Sequence, residues 1–177
     1  MIVTEAQRDI RRAYVGGGPG VLVSGTIWLA AAFAQQWRGT GVGFAVLFLG
    51  GMLIFPASTF ASRMIFRRER ESAANPLGMT ALESTIAMIG GLFAAWLLLP
   101  LKPALVFPLA AIAVGTHYAA FKTVYGDRLY WMLAAIITTI GVFDILVAPV
   151  FGGVPFAVAL VEFAFGFGLT LRTSRIE

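Results

Sequence analysis

Leu129–Ala148 reads LYWMLAAIITTIGVFDILVA, twenty residues whose single charge is Asp144. Wound as an α-helix at ~1.5 Å per residue, the stretch spans ~30 Å, the thickness of a bilayer's hydrocarbon core. It lacks the polar–apolar alternation of a membrane barrel strand. Unpaired backbone amides are too costly in lipid, so continuous helix is expected.

Five more stretches of this kind flank it: Val15 to Gln35, Gly41 to Phe66, Thr80 to Leu99, Pro103 to Phe121 and Pro155 to Leu171. Charged or turn-forming segments separate them. Arg67-Arg68-Glu69-Arg70-Glu71 through Pro76 is a charged loop, and Pro100-Leu101-Lys102-Pro103 is a tight turn. Gly126-Asp127 marks the fourth junction, and Pro149 to Pro155 encloses Gly152-Gly153. The expected fold is therefore all-α: a polytopic bundle of six transmembrane helices over residues 15–171, arranged as three hairpins. A basic segment 1–14 precedes it and a short tail 172–177 follows.

The bulk composition agrees. Of 177 residues, 59% are hydrophobic and 12% charged, against about 25% charged in soluble domains, and the mean hydropathy is +0.85. A water-soluble fold of this length has no interior large enough to hide so much apolar side chain.

The net charge of +4 needs no nucleic-acid partner, because the cations segregate. With the N-terminus inside, the inner segments hold Arg8, Arg11, Arg12, Arg63, Arg67, Arg68, Arg70, Lys122, Arg128, Arg172 and Arg175. The outer loops hold only Arg38 and Lys102. This asymmetry puts both termini on the cytoplasmic side of a plasma (inner) membrane of bacterial type. Anionic lipid headgroups are the expected partners of Arg8, Arg11, Arg12, Arg67, Arg68 and Arg70. The mixed stretch Ile2–Tyr14 is expected to lie as a short helix on the inner leaflet. Ala32-Phe33-Ala34 before Gln35 loosely mimics a signal-peptide cleavage site. The preceding basic segment is long and contains Glu5 and Asp9, which favours a first transmembrane helix.

Four ionisable residues fall inside the spans: Glu83, His117, Asp144 and Glu162. Such groups are costly in lipid and often mark function. By helical rise, Glu83 and His117 lie near the inner side, and Asp144 and Glu162 near the outer side. Glu162 shares a helix face with Ala159, Gly166 and Thr170; Asp144 with Thr138, Gly141 and Ala148; His117 with Ala110, Ala113 and Ala120. Small faces let helices approach closely, so these groups are expected to point into the bundle. Thr80-Ala81-Leu82-Glu83 fits a capping box, and Arg63 or Arg67 offers Glu83 an ion pair. His117 has Tyr118 and Thr123 as nearby hydrogen-bonding neighbours. Asp144 and Glu162 have no Lys or Arg at their depth, and a pair of neighbouring buried carboxylates is able to hold a proton or a cation.

Other features read as structural. Gly16, Gly20 and Ser24 form a small-residue ridge suited to helix packing or a flexible entry to the first span. Trp37, Tyr125, Tyr130 and Trp131 lie near span ends as interfacial anchors, whereas Trp28 and Trp96 are expected within the bundle. Phe55-Pro56 and Phe107-Pro108 recur at similar places in two spans, a resemblance that chance explains. With no cysteine and one histidine, thiolate sites, bis-histidine haem and His-rich zinc sites are excluded. No P-loop, Gly-x-Ser-x-Gly or His-Glu-x-x-His occurs, so no cofactor is expected.

The leading expectation is a small transporter or channel in which Asp144 and Glu162 handle a proton, cation or small solute, with His117 and Glu83 at the inner end of the path. A non-catalytic interaction or assembly subunit, in a homo-oligomer or a larger membrane complex, is the first alternative. An intramembrane lipid-modifying enzyme with His117 as base is the second.

Overall fold

The computed structural model describes residues 1–147 and 152–175 and contains no strand among them. Ala148 on the Asp144 face, Pro149 of the last loop and the side chain of Arg175 lie outside this description. The helices are α1 Val3–Ala13, α2 Gly18–Arg38, α3 Thr40–Gly51, α4 Ile54–Phe60, α5 Leu77–Leu97, α6 Val106–Tyr125, α7 Leu129–Val147 and α8 Val154–Arg175. Helices α2, α5, α6, α7 and α8 are each long and apolar enough to cross a membrane.

The sixth expected span, read as continuous from Gly41 to Phe66, is instead broken. Helices α3 and α4 meet at a 47° bend around Met52-Leu53. Pro56 explains the position of the break. A proline ring clashes with the carbonyl four residues earlier, here that of Met52, and its missing N–H is harmless in a helix's first turn. Pro56 is the third residue of α4, and Pro108 is likewise the third of α6, so the recurring Phe-Pro pairs share a role as helix starts. The chain leaves α4 through a π-turn, Ala61–Ile65, and swings away at Arg67, whose φ is +53°.

The packing does not single out three hairpins. The most extensive contacts join α6 to α7 and α2 to α8, with α2–α3 and α5–α6 next. Glycines set the closest approaches. A side chain at Gly115 would strike Thr138, and one at Gly141 the Pro108 carbonyl, which locks α6 to α7. At the start of α2, Gly16 and Gly17 adopt φ of +64° and +78°, a turn that L side chains resist. Of the expected ridge, Gly16 lies against Thr173 and Leu169 of α8, joined there by Gly18 and Gly25, whereas Gly20 faces Ser58 of α4.

Helix α1 departs from its expected place on the lipid surface. Its apolar face, Ala6, Ile10 and Ala13, is fully buried against the protein, in contact with α6 and α5. The 66–76 loop closes over it. Asp9 accepts hydrogen bonds from Ser72 N–H (2.8 Å), Asn75 Nδ2 (3.0 Å) and Arg12 Nη2 (3.2 Å), while Asn75 also donates to the Ala6 carbonyl (2.9 Å). Tyr14 donates to Glu71 (2.8 Å), which also pairs with Arg63 at 3.6 Å. Gln7 ties α1 to the Thr123 carbonyl of α6 (2.8 Å). Arg12, cast as a lipid contact, is thus engaged with Asp9 and with Glu69 at 3.4 Å.

This clasp carries a pH dependence. Burial by itself raises the Asp9 carboxyl, but the donors Asn75, Ser72 and Arg12 outweigh it and hold Asp9 below the ordinary carboxylate range. A depressed carboxylate stabilises the fold above its unfolded value of about 3.9, and that contribution is lost as pH falls through the folded value. Tyr14 behaves oppositely: burial and the bond to Glu71 push it up to about 12. Its contribution holds below pH ~10 and is lost as pH rises toward 12. Asn75→Ala is expected to cost about 1–2 kcal/mol at pH 7 and to flatten the acid limb. Thermal unfolding in detergent between pH 3 and 7 reads both; an unchanged acid limb would contradict the clasp.

The aromatic residues sort differently from their sequence positions. Trp28 is buried as expected, but Trp96 is 51% exposed and packs edge-on with Phe93 on the outer face of α5. Trp37 and Trp131 are exposed near helix ends, whereas Tyr130 is buried and Tyr125 half-buried, the two rings stacked 5.2 Å apart.

Candidate functional site at Glu162

Glu162 is the most deeply enclosed charged side chain among the described residues, with no exposed surface. The helix face predicted for it is the one observed. Ala159 and Gly166 are buried beside it, Gly25 of α2 sits 3.3 Å from the Glu162 Cβ once given a Cβ of its own, and Gly18 lies against Thr170 and Gly166. Small residues on both helices bring α2 and α8 together, so Glu162 is held between them rather than facing lipid.

Its partner comes from a third helix. Tyr118 of α6, 4% exposed, donates its hydroxyl to Glu162 Oε1 at 2.8 Å. Buried Ser24 of α2 lies alongside both groups, yet Oε2 receives no hydrogen bond among the described residues. A buried carboxyl oxygen without a donor costs about 1–3 kcal/mol, a cost that purely structural sites usually avoid.

From Tyr118 an aromatic column runs along α6 and α7 to the end of the bundle that carries α1. Tyr118 and Tyr130 lie 6.3 Å apart, Tyr130 and Tyr125 stack at 5.2 Å, and Phe121 fills the space between them. Tyr130 donates to the Gly16 carbonyl at 2.7 Å. Any side chain at Gly17 would strike the Tyr130 hydroxyl and come within 2.9 Å of the Tyr125 ring, so the glycine turn is shaped to this column.

The other three predicted residues are not gathered around Glu162. Asp144 of α7 is partly buried, and its Oδ1 is enclosed with no hydrogen-bond partner. No hydrogen bond joins it to Glu162, whose own contact is Tyr118. His117 faces α5, with Nδ1 2.8 Å from the Ser84 hydroxyl, beside a cavity of about 260 Å³. Glu83 is exposed on α5 and makes no hydrogen bond or ion pair among the described residues. Its capping box is absent because α5 begins earlier, at Leu77, where the Asn75 side chain accepts the Leu77 N–H at 3.1 Å. Arg63, offered as its partner, pairs with Glu71 instead.

Tyr118 and Ser24 are the site residues that sequence reasoning missed as such. Tyr118 lies seven positions after Ala111 and four after Val114, on the buried face of α6. A tyrosine on an apolar helix face requires a partner for its hydroxyl, and that was the available signal. Among the described residues, no group of three or more His, Cys, Asp or Glu side chains is placed to hold a metal.

An all-helical chain with five to six long apolar helices, enclosing one carboxyl-centred polar site, is a multi-pass membrane protein. It belongs to a family described as a family of unknown function, DUF7010, whose model matches residues 3–172. Comparison with curated proteins and with solved structures finds no match.

Proposed function

We propose that this protein is a small membrane transporter or channel that passes protons through Glu162. The observation that carries the reading is the Glu162 carboxyl itself: fully buried between α2, α6 and α8, with one oxygen bonded by Tyr118 and the other without a donor. A group enclosed at such cost, at membrane depth, is by default a functional one.

A proton suits the site better than a metal cation. Hard cations need about six or more oxygens around them, and the neighbourhood supplies the carboxyl and the hydroxyls of Tyr118 and Ser24. Asp144, the second intramembrane carboxyl with an unpartnered oxygen, is the further station toward the opposite face. In this reading the N- and C-termini face the cytoplasm across a plasma membrane, and the basic end of the bundle rests against anionic headgroups. The test is proton movement into vesicles containing the purified protein. A flux that survives exchange of Glu162 for Gln and Asp144 for Asn together ends the proposal.

A further inference from the structure

The cavity beside His117 belongs to a different part of the molecule from Glu162. It lies between α5 and α6, walled by Ala87, Met88, Gly91 and Ala113, with Ser84, Thr116 and His117 as its polar edge. Its floor is tight, since a Cβ at Gly91 would come within 2.7 Å of the Ala113 Cβ. Its mouth is open, since Ala87 and Thr116 are exposed. The lining residues sit in the middle of α5 and α6, both long enough to cross a membrane, so the mouth opens onto lipid and the occupant arrives through the bilayer. None of the lining residues is Lys or Arg, which leaves a phosphate headgroup without a counter-charge.

The hydrogen-bonding roles at the polar edge are interchangeable. The Ser84 hydroxyl has one proton and two acceptors within reach, His117 Nδ1 at 2.8 Å and the His117 carbonyl at 3.2 Å. When the hydroxyl donates to Nδ1, the ring proton sits on Nε2, which then donates. When it donates to the carbonyl, Nδ1–H donates to the Ser84 oxygen, and Nε2 becomes an acceptor. Nε2 makes no hydrogen bond to the described residues. A hydroxyl rotation and a tautomer change therefore turn the same atom from donor to acceptor without introducing a charge.

We propose that this groove binds the ring of a lipid-soluble quinone in both its oxidised and reduced forms. His117 Nε2–H donates to a quinone carbonyl, and Nε2 accepts from a quinol hydroxyl. The volume of about 260 Å³ is below the roughly 300–1,000 Å³ of sites that enclose a drug-sized ligand, so it takes one substituted ring and leaves an isoprenoid tail in the lipid. Only binding is assigned; no electron transfer is required of this chain. The inference stands apart from proton passage at Glu162, and neither depends on the other.

The test is equilibrium binding of a radiolabelled benzoquinone carrying one isoprenoid unit, and of its chemically reduced quinol, to the full chain in phospholipid nanodiscs. One saturable site per chain is expected for each form. His117→Ala should weaken both about tenfold, the loss of one hydrogen bond. Ala87→Phe, a substitution at an exposed wall position that leaves the Ser84–His117 pair intact, should remove saturable binding. Absence of saturable binding to the unaltered protein overturns the proposal. So does binding that Ala87→Phe and His117→Ala leave unchanged, or equal competition by a long-chain alcohol. If one variant does not fold, the other decides.

Discussion

Gly18→Leu should destabilise the protein by about 3 kcal/mol or more, enough to prevent recovery of folded protein in mild detergent. Even a methyl group at this position would meet the Thr170 hydroxyl, come within 2.7 Å of the Thr170 amide nitrogen, and lie 2.9 Å from the Gly166 carbonyl. Two of these three obstacles are backbone atoms of α8, which no rotamer change moves aside. Relief therefore requires α2 and α8 to separate along the interface that encloses Glu162. In a membrane, helix association rests on such close packing rather than on a hydrophobic driving force, so the lost contacts have no substitute. Gly90→Leu in α5 is the matched control. A Cβ there meets nothing within 4 Å and the position is exposed, so the change should be neutral or slightly stabilising because leucine is the better helix former. Thermal unfolding of the two variants beside the unaltered chain checks the pair. Equal loss in both would contradict the packing described for α2 and α8.

Glu162→Gln should lower proton flux at least ~100-fold while leaving the fold intact. Glutamine is isosteric, and its carbonyl still accepts the Tyr118 hydroxyl, so the 2.8 Å bond survives. What disappears is the exchangeable carboxyl proton, and positioned acid–base groups contribute about 10²–10⁴-fold to the steps they serve. Asp144→Asn should slow the same flux by less, about tenfold, because Asp144 is only partly buried and water is able to stand in for it. Tyr118→Phe removes the donor but not the carboxyl and should slow flux without abolishing it. A pH-sensitive dye trapped in proteoliposomes, with a potassium gradient and ionophore to drive the movement, measures all three. Normal flux in Glu162→Gln would remove Glu162 from the path.

Much of the fold was legible because membrane thickness imposes a length and an apolarity that local sequence records directly. Leu129–Val147 and Leu77–Leu97 emerge as helices close to where hydropathy places them. The broken second span was less legible. Gly50-Gly51 and Pro56 signal a bend, but an apolar run of that length also suits a single tilted helix. The amphipathic face of α1 was visible in the spacing of Ala6, Ile10 and Ala13. What covers it was not, since lipid and protein satisfy an apolar stripe equally well, and the deciding contacts come from Asp9 to Ser72 and Asn75, more than 60 residues away. The same limit applied at the site. Small neighbours correctly turned Glu162 inward, but the tyrosine that reaches it lies 44 positions earlier in the chain. Matched depth on separate helices gave Asp144 no hydrogen bond to Glu162.

Infrared difference spectroscopy of the protein in lipid shows whether the buried Glu162 carboxyl exchanges its proton with bulk water. With glutamate carboxyl carbons isotopically labelled, a label-sensitive carboxyl band should appear and disappear reversibly as bulk pH is cycled, and should be missing from Glu162→Gln. A Glu162 band that stays fixed at every pH, in a protein that remains folded, would remove Glu162 from proton passage and leave the Tyr118–Glu162 bond as a structural tie between α6 and α8.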